Sequence, residues 1–379
     1  MTAAASHLPP PSLSGIRVLD FSHVIAGPFA TFHLAQLGAA VTKIEKPGGG
    51  DVMRRTASGA RAFTALNAGK QIRCIDIGSE AGRAEVLALV READVMVDNY
   101  RPGVLARHGL GYEDVKAVNP RIIYCAISGY GYSEPSRTSH GAYDHVIQAL
   151  TGMTMLAGVE GDPPLKTGFP VVDAATGIIA ALAMVTALRE RDRTGTGCFL
   201  DVSMWASALQ LMYPFACETL TSGQEIPRVG NKGYSGSPAA DTFPCRDGWL
   251  ATGANTPEHV ERLMAVLGIA PAEFMPLLEP TSKNAPAFAR AKDPQRFREL
   301  LAERLRGQSA AELERRLNAE GVPAARVRTL REFTQEAVDT GLLQPVESGE
   351  GDNRAVMPGL GWRTTQQTRR IGLRVPGTR

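Results

Sequence analysis

The chain alternates short apolar runs with segments whose apolar residues recur every three to four positions. Arg17-Val-Leu-Asp-Phe reads as a buried strand, Gly27 to Leu37 as a helix with apolar spacing, and Ala40 to Ile44 as the next strand. Ser79 and Glu80 open a second helix running to about Glu92. Asp94 to Val97 then returns as a strand, Tyr112 to Val118 is a short helix, and Arg121 to Ile127 is another strand. Further on, Pro170-Val-Val-Asp173 leads into a helix that is apolar from Gly177 to Leu188, and Arg189, Glu190, Arg191 and Asp192 end the apolar run. A helix near Ser203 to Ala216 follows. The Gly/Ser/Pro-rich stretch from Thr221 to Pro238 marks a boundary. Beyond it come a strand-like Gly248-Trp-Leu-Ala-Thr and helices over Pro257 to Leu267, Pro294 to Arg306 and Ser309 to Glu320. The last of these opens with the capping pattern Ser-Ala-Ala-Glu.

Strands alternating with helices imply a mostly parallel sheet, so the expected fold is α/β: a Rossmann-like large domain with a second, smaller α+β domain. The pattern divides the chain into residues 1–220, a small domain over 221–324, and a return segment over 325–379. The first turn is Ser22-His-Val-Ile-Ala-Gly-Pro28 and not G-x-G-x-x-G, which removes support for a dinucleotide pyrophosphate site. Glu347 to Arg354 is polar enough to be a mobile loop, and Met1 to Pro11 reads as a frayed leader without the basic and apolar regions of a secretory signal.

Composition narrows the classes further. With 379 residues and 44% hydrophobic content, the chain can bury a full core. Forty-one basic against thirty-nine acidic residues leave a formal charge of +2, so no global field recruits nucleic acid or a membrane surface. The run from Gly177 to Leu188 falls short of the roughly 20 apolar residues a bilayer requires, and reads as a buried core helix. Five cysteines at 74, 125, 198, 217 and 245 form no C-x-x-C pair, which fits reduced thiols and a cytoplasmic location. The chain also lacks H-E-x-x-H, G-x-S-x-G, a Walker loop and a Cys/His cluster, so neither a metal nor a redox cofactor is expected.

The most informative single position is Asp173, which stands where a helix N-cap belongs. Unpaired amides and the helix dipole there favour the ionised carboxylate, and an ionised, aimed carboxylate can attack a thioester carbonyl. A plain helix cap fits the same position.

Its surroundings resemble a known family. Gly15-Ile-Arg-Val-Leu-Asp-Phe-Ser-His-Val-Ile-Ala-Gly-Pro28, Leu37-Gly-Ala-Ala-Val-Thr-Lys-Ile-Glu45, Leu66-Asn-Ala-Gly-Lys70, Ala93-Asp-Val-Met-Val-Asp-Asn-Tyr-Arg-Pro-Gly103, Leu110-Gly-Tyr112, Asn119-Pro120, Ile127-Ser-Gly-Tyr-Gly131 and the Asp173 segment follow one another in order. Together they resemble the family III CoA-transferases over about half the chain. The resemblance implies transfer of CoA from an acyl-CoA donor to a small carboxylic or dicarboxylic acid through mixed anhydrides and an aspartyl-CoA thioester. Succinyl-CoA is a candidate donor. It also implies an interlocked homodimer, coenzyme A thioesters as substrates, and no tightly bound cofactor.

By the same resemblance Asp173 is the nucleophile, and Tyr143 with Asp144 matches a Tyr-Glu pair that shapes the acyl site in the formyl-CoA transferase branch. Asp144 as a cap for the helix starting at His145 is the alternative. Ile25 and Ala26 would lie beside the pantetheine arm, Lys46, Lys70 and Arg107 would meet phosphates, Asn67 falls in the same binding block, and Asn99 and Tyr100 would line the adenosine side. Ile25 replaces a polar Gln of the formyl-CoA branch, which points to a different acceptor acid. Gly230 to Pro238 occupies the place of a loop that covers the acyl site in relatives. Two rival readings stand beside this one. A 2-methylacyl-CoA racemase of the same superfamily would need a base where Tyr143 stands, and tyrosine, with a reference pKa of about 10, is a poor base at neutral pH. A CoA-ester binding protein without catalysis is the second.

Overall fold

Six short runs, most of them rich in Val, Ile, Leu and Cys, form one parallel sheet. The computed structural model describes residues 10–56, 59–132, 135–137, 140–280, 288–348 and 354–362. In chain order the first part comprises β1 (Arg17–Asp20), α1 (Ala26–Gln36), β2 (Ala40–Glu45), α2 (Gly59–Asn67), β3 (Gln71–Cys74), α3 (Glu80–Val90), β4 (Val95–Asp98), α4 (Tyr112–Val118) and β5 (Ile123–Ser128). α5 (Asp144–Leu150), α6 (Val171–Thr194), β6 (Cys198–Ser203), α7 (Met204–Leu211) and α8 (Tyr213–Ser222) follow. The strand order is β3-β2-β1-β4-β5-β6, and every neighbouring pair is parallel.

Alternation along the strands divides the core into two layers. Val18, Val95, Val97, Ile123 and Cys125 point to the face covered by α1 and α6, where Ala30, Leu34, Ala180 and Met184 meet them. Leu19, Met96, Tyr124 and Ala126 point the other way, against Val86 and Val90 of α3 and Val115 of α4. Burial on both faces is why these strands read as continuous apolar runs and not as apolar-polar alternation.

α6 is twice as long as its apolar stretch suggested, because Arg191 continues it, buried, with an ion pair of 2.9 Å to Asp94. Its length and composition would suffice to cross a bilayer, yet Val172, Ala175, Ala180, Met184 and Leu188 are buried in the fold. The helix expected over Ser203 to Ala216 is two, α7 and α8, divided at Met212.

The chain separates into two units, the second of which comprises Ala157–Pro163 and Pro227–Leu342. It contains β7 (Thr242–Cys245), β8 (Gly248–Thr252), α9 (Pro257–Val266), α10 (Pro271–Phe274), α11 (Pro294–Arg306), α12 (Ala310–Ala319), β9 (Ala324–Arg326) and α13 (Leu330–Asp339). The antiparallel sheet β7-β8-β9 packs Phe243 and Leu250 against Leu263, Phe297, Leu301 and Leu313. Sequence alone placed the return segment at 325, whereas β9 pairs with β8 and α13 stays in this unit. In the first unit, β10 (Val346–Ser348) and β11 (Ala355–Met357) form an antiparallel pair. The tip of the loop expected over Glu347 to Arg354 lies outside the described residues, as does most of the expected leader.

Candidate active site

Strand order reverses between β1 and β4, and in open parallel sheets the crevice beyond the strand ends at such a point is where ligands bind. Here the loops leaving β1 and β4 diverge around a cleft of about 810 Å3, large enough for a substrate-sized molecule. His23, Val24, Ile25 and Ala26 line it from the first loop, and Asn99, Tyr100, Arg101 and Val104 from the second. Ser128 to Gly131, Arg137, His140 to Tyr143 and Asp173 complete the wall. A smaller pocket of about 250 Å3 is walled by Tyr112, Tyr124, Tyr132 and Phe199, on the face packed by α3 and α4, and does not include Asp173.

Asp173 is the third residue of α6, not its cap; Pro170 holds that position without a side-chain bond. The amides expected for Asp173 are taken by Asp144 at the start of α5. One oxygen of the Asp144 carboxylate accepts from the Val172 and Asp173 N–H groups at 2.8 and 3.0 Å, and the other accepts from Gln148 Nε2 at 2.5 Å. Asp144 therefore caps α6, twenty-eight residues away, and not α5. Among the described residues nothing donates to the Asp173 carboxylate, and burial followed by the repulsion of Asp144 pushes it up to about 7. That outcome reverses the expectation that the helix start would hold Asp173 ionised. The donors were present but another acid took them.

Close packing brings Asp173 to the first loop. One turn after it, Gly177 passes so close to α1 that a Cβ would stand 2.8 Å from the Ala26 carbonyl oxygen and 3.1 Å from Phe29. Ile25, Ala26, Asn99 and Tyr100 line the same cleft. Tyr143 also lines it, 68% exposed, with its ring stacked on His145 at 6.3 Å. Asp144 is absent from the cleft lining and bears on the site by capping α6 and by its charge beside Asp173.

One expected phosphate contact, Lys70, and one expected member of the binding block, Asn67, are corrected. Lys70 is buried beneath the first loop, where its ammonium reaches Asp20 at 3.0 Å, Thr31 Oγ1 at 2.7 Å, the Pro28 carbonyl at 2.9 Å and Asn67 Oδ1 at 2.9 Å. With every proton engaged and no exposed side-chain surface, it cannot meet a phosphate. Asn67 is likewise buried, accepting from Lys70 and donating to the Phe63 carbonyl at 2.9 Å. Burial alone would raise the Asp20 carboxyl, but Lys70, Lys43 and the hydroxyls of Ser22 and Thr31 outweigh it and hold it well below the usual range. Lys46 and Arg107 are exposed and stand outside the cleft lining.

Other cations do face the cleft. Arg101 and Arg137 line it, and among the described residues neither side chain has a hydrogen-bond or ion-pair partner. The Arg101 guanidinium lies over Gly141, where a Cβ would stand 3.3 Å away. Arg137 lies in an irregular stretch with no periodicity to single it out in the sequence. His23, its ring 5.1 Å from that of Tyr100, is driven toward the neutral form by burial, with Asp51 opposing. His140 packs edge-on against Tyr130 at 5.9 Å.

The sequence model described as CoA-transferase family III matches residues 13–378. An acyl-CoA transferase of Fusarium pseudograminearum is 37% identical over 271 residues, and the chain spans 59% of that protein's length and matches it over 68% of its own. A succinate–glutarate CoA-transferase of Agrobacterium fabrum is 31% identical over 363 residues, 92% of this chain and 88% of that one. The crystal structure of a CAIB/BAIF family protein from Brucella suis superposes with a TM-score of 0.81 and 27% identity, covering 96% of this chain and 98% of that one.

Proposed function

This chain belongs to CoA-transferase family III, and from that premise we propose that it carries CoA from an acyl-CoA donor to a small dicarboxylic acid, with Asp173 as the covalent nucleophile. The observation that carries this reading is a partly buried carboxylate in a cleft that also holds two arginines, the carboxylate without protein donors and the arginine side chains without partners among the described residues.

The steps balance without water or an added cofactor. An Asp173 oxygen attacks the donor thioester carbonyl, forming a mixed anhydride and releasing CoA thiolate. The thiolate attacks the aspartyl carbonyl, giving an aspartyl-CoA thioester and the donor's carboxylate. The acceptor carboxylate then attacks that carbonyl and displaces the thiolate, which finally attacks the acceptor's acyl carbon and frees Asp173. Each transfer is between neighbours already held in place.

Ile25 and Ala26 offer an apolar slot for the pantetheine, with Asn99 and Tyr100 toward the adenosine. Lys46 and Arg107, exposed outside the cleft, are assigned to the CoA phosphates at the far end of the molecule from the thioester. Tyr143 borders the acyl group and Asp144 holds the start of α6 under it. Arg101 and Arg137 suit the second carboxylate of a dicarboxylic acid. The Agrobacterium relative, named for succinate and glutarate, supports that class, and a Mus musculus relative named succinyl-CoA:glutarate CoA-transferase supports succinyl-CoA as donor.

A second copy of this chain is assigned to the exposed apolar stripe of Ile178, Leu182 and Val185 on α6, giving a homodimer, and a cytoplasmic location follows from five unpaired thiols.

The test is to incubate the purified protein with succinyl-CoA and a mixture of mono- and dicarboxylic acids, then search for new CoA thioesters by mass spectrometry. New dicarboxylyl-CoA species, absent with Asp173→Ala, are expected. Exchange of α-protons with deuterated water and no new thioester would overturn the reading in favour of a racemase.

A further inference from the structure

The loop from Ser22 to Val24, which carries β1 into α1, contains an unusual backbone conformation. Val24 has φ +68°, and among the described residues it is the one non-glycine residue with positive φ. A β-branched side chain is strongly disfavoured there, so the surroundings must impose the geometry. No glycine spares the strain, although the loop lines the cleft.

The backbone groups of this loop show what imposes it. Asp20 Oδ1 accepts from Ser22 N–H at 2.9 Å, and Lys43 Nζ donates to the Ser22 carbonyl at 2.5 Å. Asn99 accepts from His23 N–H at 2.9 Å and donates to the His23 carbonyl at 2.7 Å. Both oxygens of Asp51 accept from Val24 N–H, at 3.3 and 3.2 Å. Asp51 itself is fixed from three directions. Its carboxylate pairs with Lys43 at 3.4 Å, both side chains 1% exposed, and it caps the turn Val52–Arg55 through Met53 N–H at 3.0 Å. Arg54 in that turn is bound to Glu45 at 3.0 Å and lies over the Phe63 ring at 3.9 Å.

Val24 leads directly into Ile25 and Ala26, and Ala26 is where α1 abuts Gly177, one turn beyond Asp173. We propose that Asp51 is a positioning residue for CoA transfer: by holding Val24 in the left-handed conformation, it fixes Ile25 and Ala26 as the wall against which the thioester meets Asp173. It touches no reacting atom. The proposal rests on the transferase reading for its kinetic assay alone.

The test is a double-variant cycle of Asp51→Asn and Val24→Gly. Glycine adopts positive φ without strain, so the loop no longer depends on the clamp. With Val24 in place, Asp51→Asn is expected to lower kcat about twentyfold with KM for the donor within about threefold, as misplacement of a reacting group predicts. In the Val24→Gly background the same change should lower kcat at most about threefold, the difference being the coupling. Asp51→Glu keeps the charge beside Lys43 while displacing the carboxylate by one methylene, so it serves if the asparagine variant does not fold, and the same pattern is expected. Hydrogen exchange of the Phe29 amide, which donates to the Ile25 carbonyl at 2.8 Å, gives a readout free of any assumed reaction: faster with Asp51→Asn, and unchanged when Asp51→Asn is added to Val24→Gly. Equal kcat losses in both backgrounds, or exchange that the Asp51 variants leave unaltered, would overturn the proposal, whereas loss of activity on every donor in all variants with the exchange pattern intact would count against the transferase reading alone.

Discussion

The floor of the cleft and its wall use the same side chain to opposite ends. Beneath the first loop, Asp20 is fully buried yet ionised, because Lys70 and two hydroxyls converge on it. In the wall, Asp173 is less buried but has no cation paired with it among the described residues, its helix-start amides belong to Asp144, and its carboxyl rises to about 7. Burial raises both acids, and partners decide which remains a structural anion and which becomes a reactive group. A carboxylate kept near neutrality by missing partners has little solvation to lose when it attacks a carbonyl.

The largest break in that comparison is removal of the floor's cation. Lys70→Met leaves Asp20 buried without its main counter-ion, and breaking a buried pair by removing one partner costs about 3–5 kcal/mol. Denaturant unfolding at pH 7 should show a loss of that size; a loss below about 1 kcal/mol would mean that water or Lys43 reaches Asp20 after all.

In the wall the sign is reversed. The folded-state value for Asp173, about 7, lies above its ordinary value of 3.8, so its contribution to stability is complete below about pH 4 and is lost as pH rises through 7. Three units correspond to roughly 4 kcal/mol as an upper bound, and partial exposure reduces this to about 1–3 kcal/mol. Asp173→Asn should therefore raise the melting temperature at pH 8, leave it unchanged at pH 4, and abolish transfer. A variant less stable at pH 8 than the native protein would show that Asp173 is a structural anion like Asp20.

The same contrast explains what was legible in the sequence. Strands β1, β4 and β5 are apolar on both faces and were readable as runs, so the parallel sheet followed, while the strand order that creates the switch point came only from the fold. Strand β3 is an edge strand of Gln-Ile-Arg-Cys with Ile72 alone buried, and α2 puts polar Thr64 and Asn67 on its buried face beside Phe63, so neither stands out as an apolar pattern. Asp173 could be located because its neighbours are local. Lys70 could not be interpreted, because its partner Asp20 is fifty residues away and nothing in Leu66-Asn-Ala-Gly-Lys70 distinguishes a buried lysine from one that meets a phosphate. Asp144 was placed at the acyl site, with a cap on α5 as the alternative, and its cap on α6 was not legible, since only the folded chain brings the starts of α5 and α6 together. Arg137 left no pattern at all.

The smallest effect isolates the one interaction that sets the wall apart from the floor. Asp144→Asn removes the negative charge beside Asp173, while the amide oxygen can still accept from Val172 and Asp173 N–H, so the cap on α6 is kept and the bond from Gln148 Nε2 is given up. Burial is the larger cause of the raised carboxyl and Asp144 the smaller, so the substitution should lower the Asp173 value only partway toward the ordinary range. Transfer needs the ionised form, and its rate in the native protein should fall as pH drops through about 7. In the variant that acid limb should move down by less than about one unit, with kcat above the limb within about threefold, because removing one nearby like charge is worth about 1 kcal/mol at the edge of a solvated cleft. A limb that stays in place would assign the raised value to burial alone. A collapse of kcat at every pH would instead show that Asp144 must be charged to hold α6, making it part of the scaffold that aims Asp173 and not of the electrostatics that tune it.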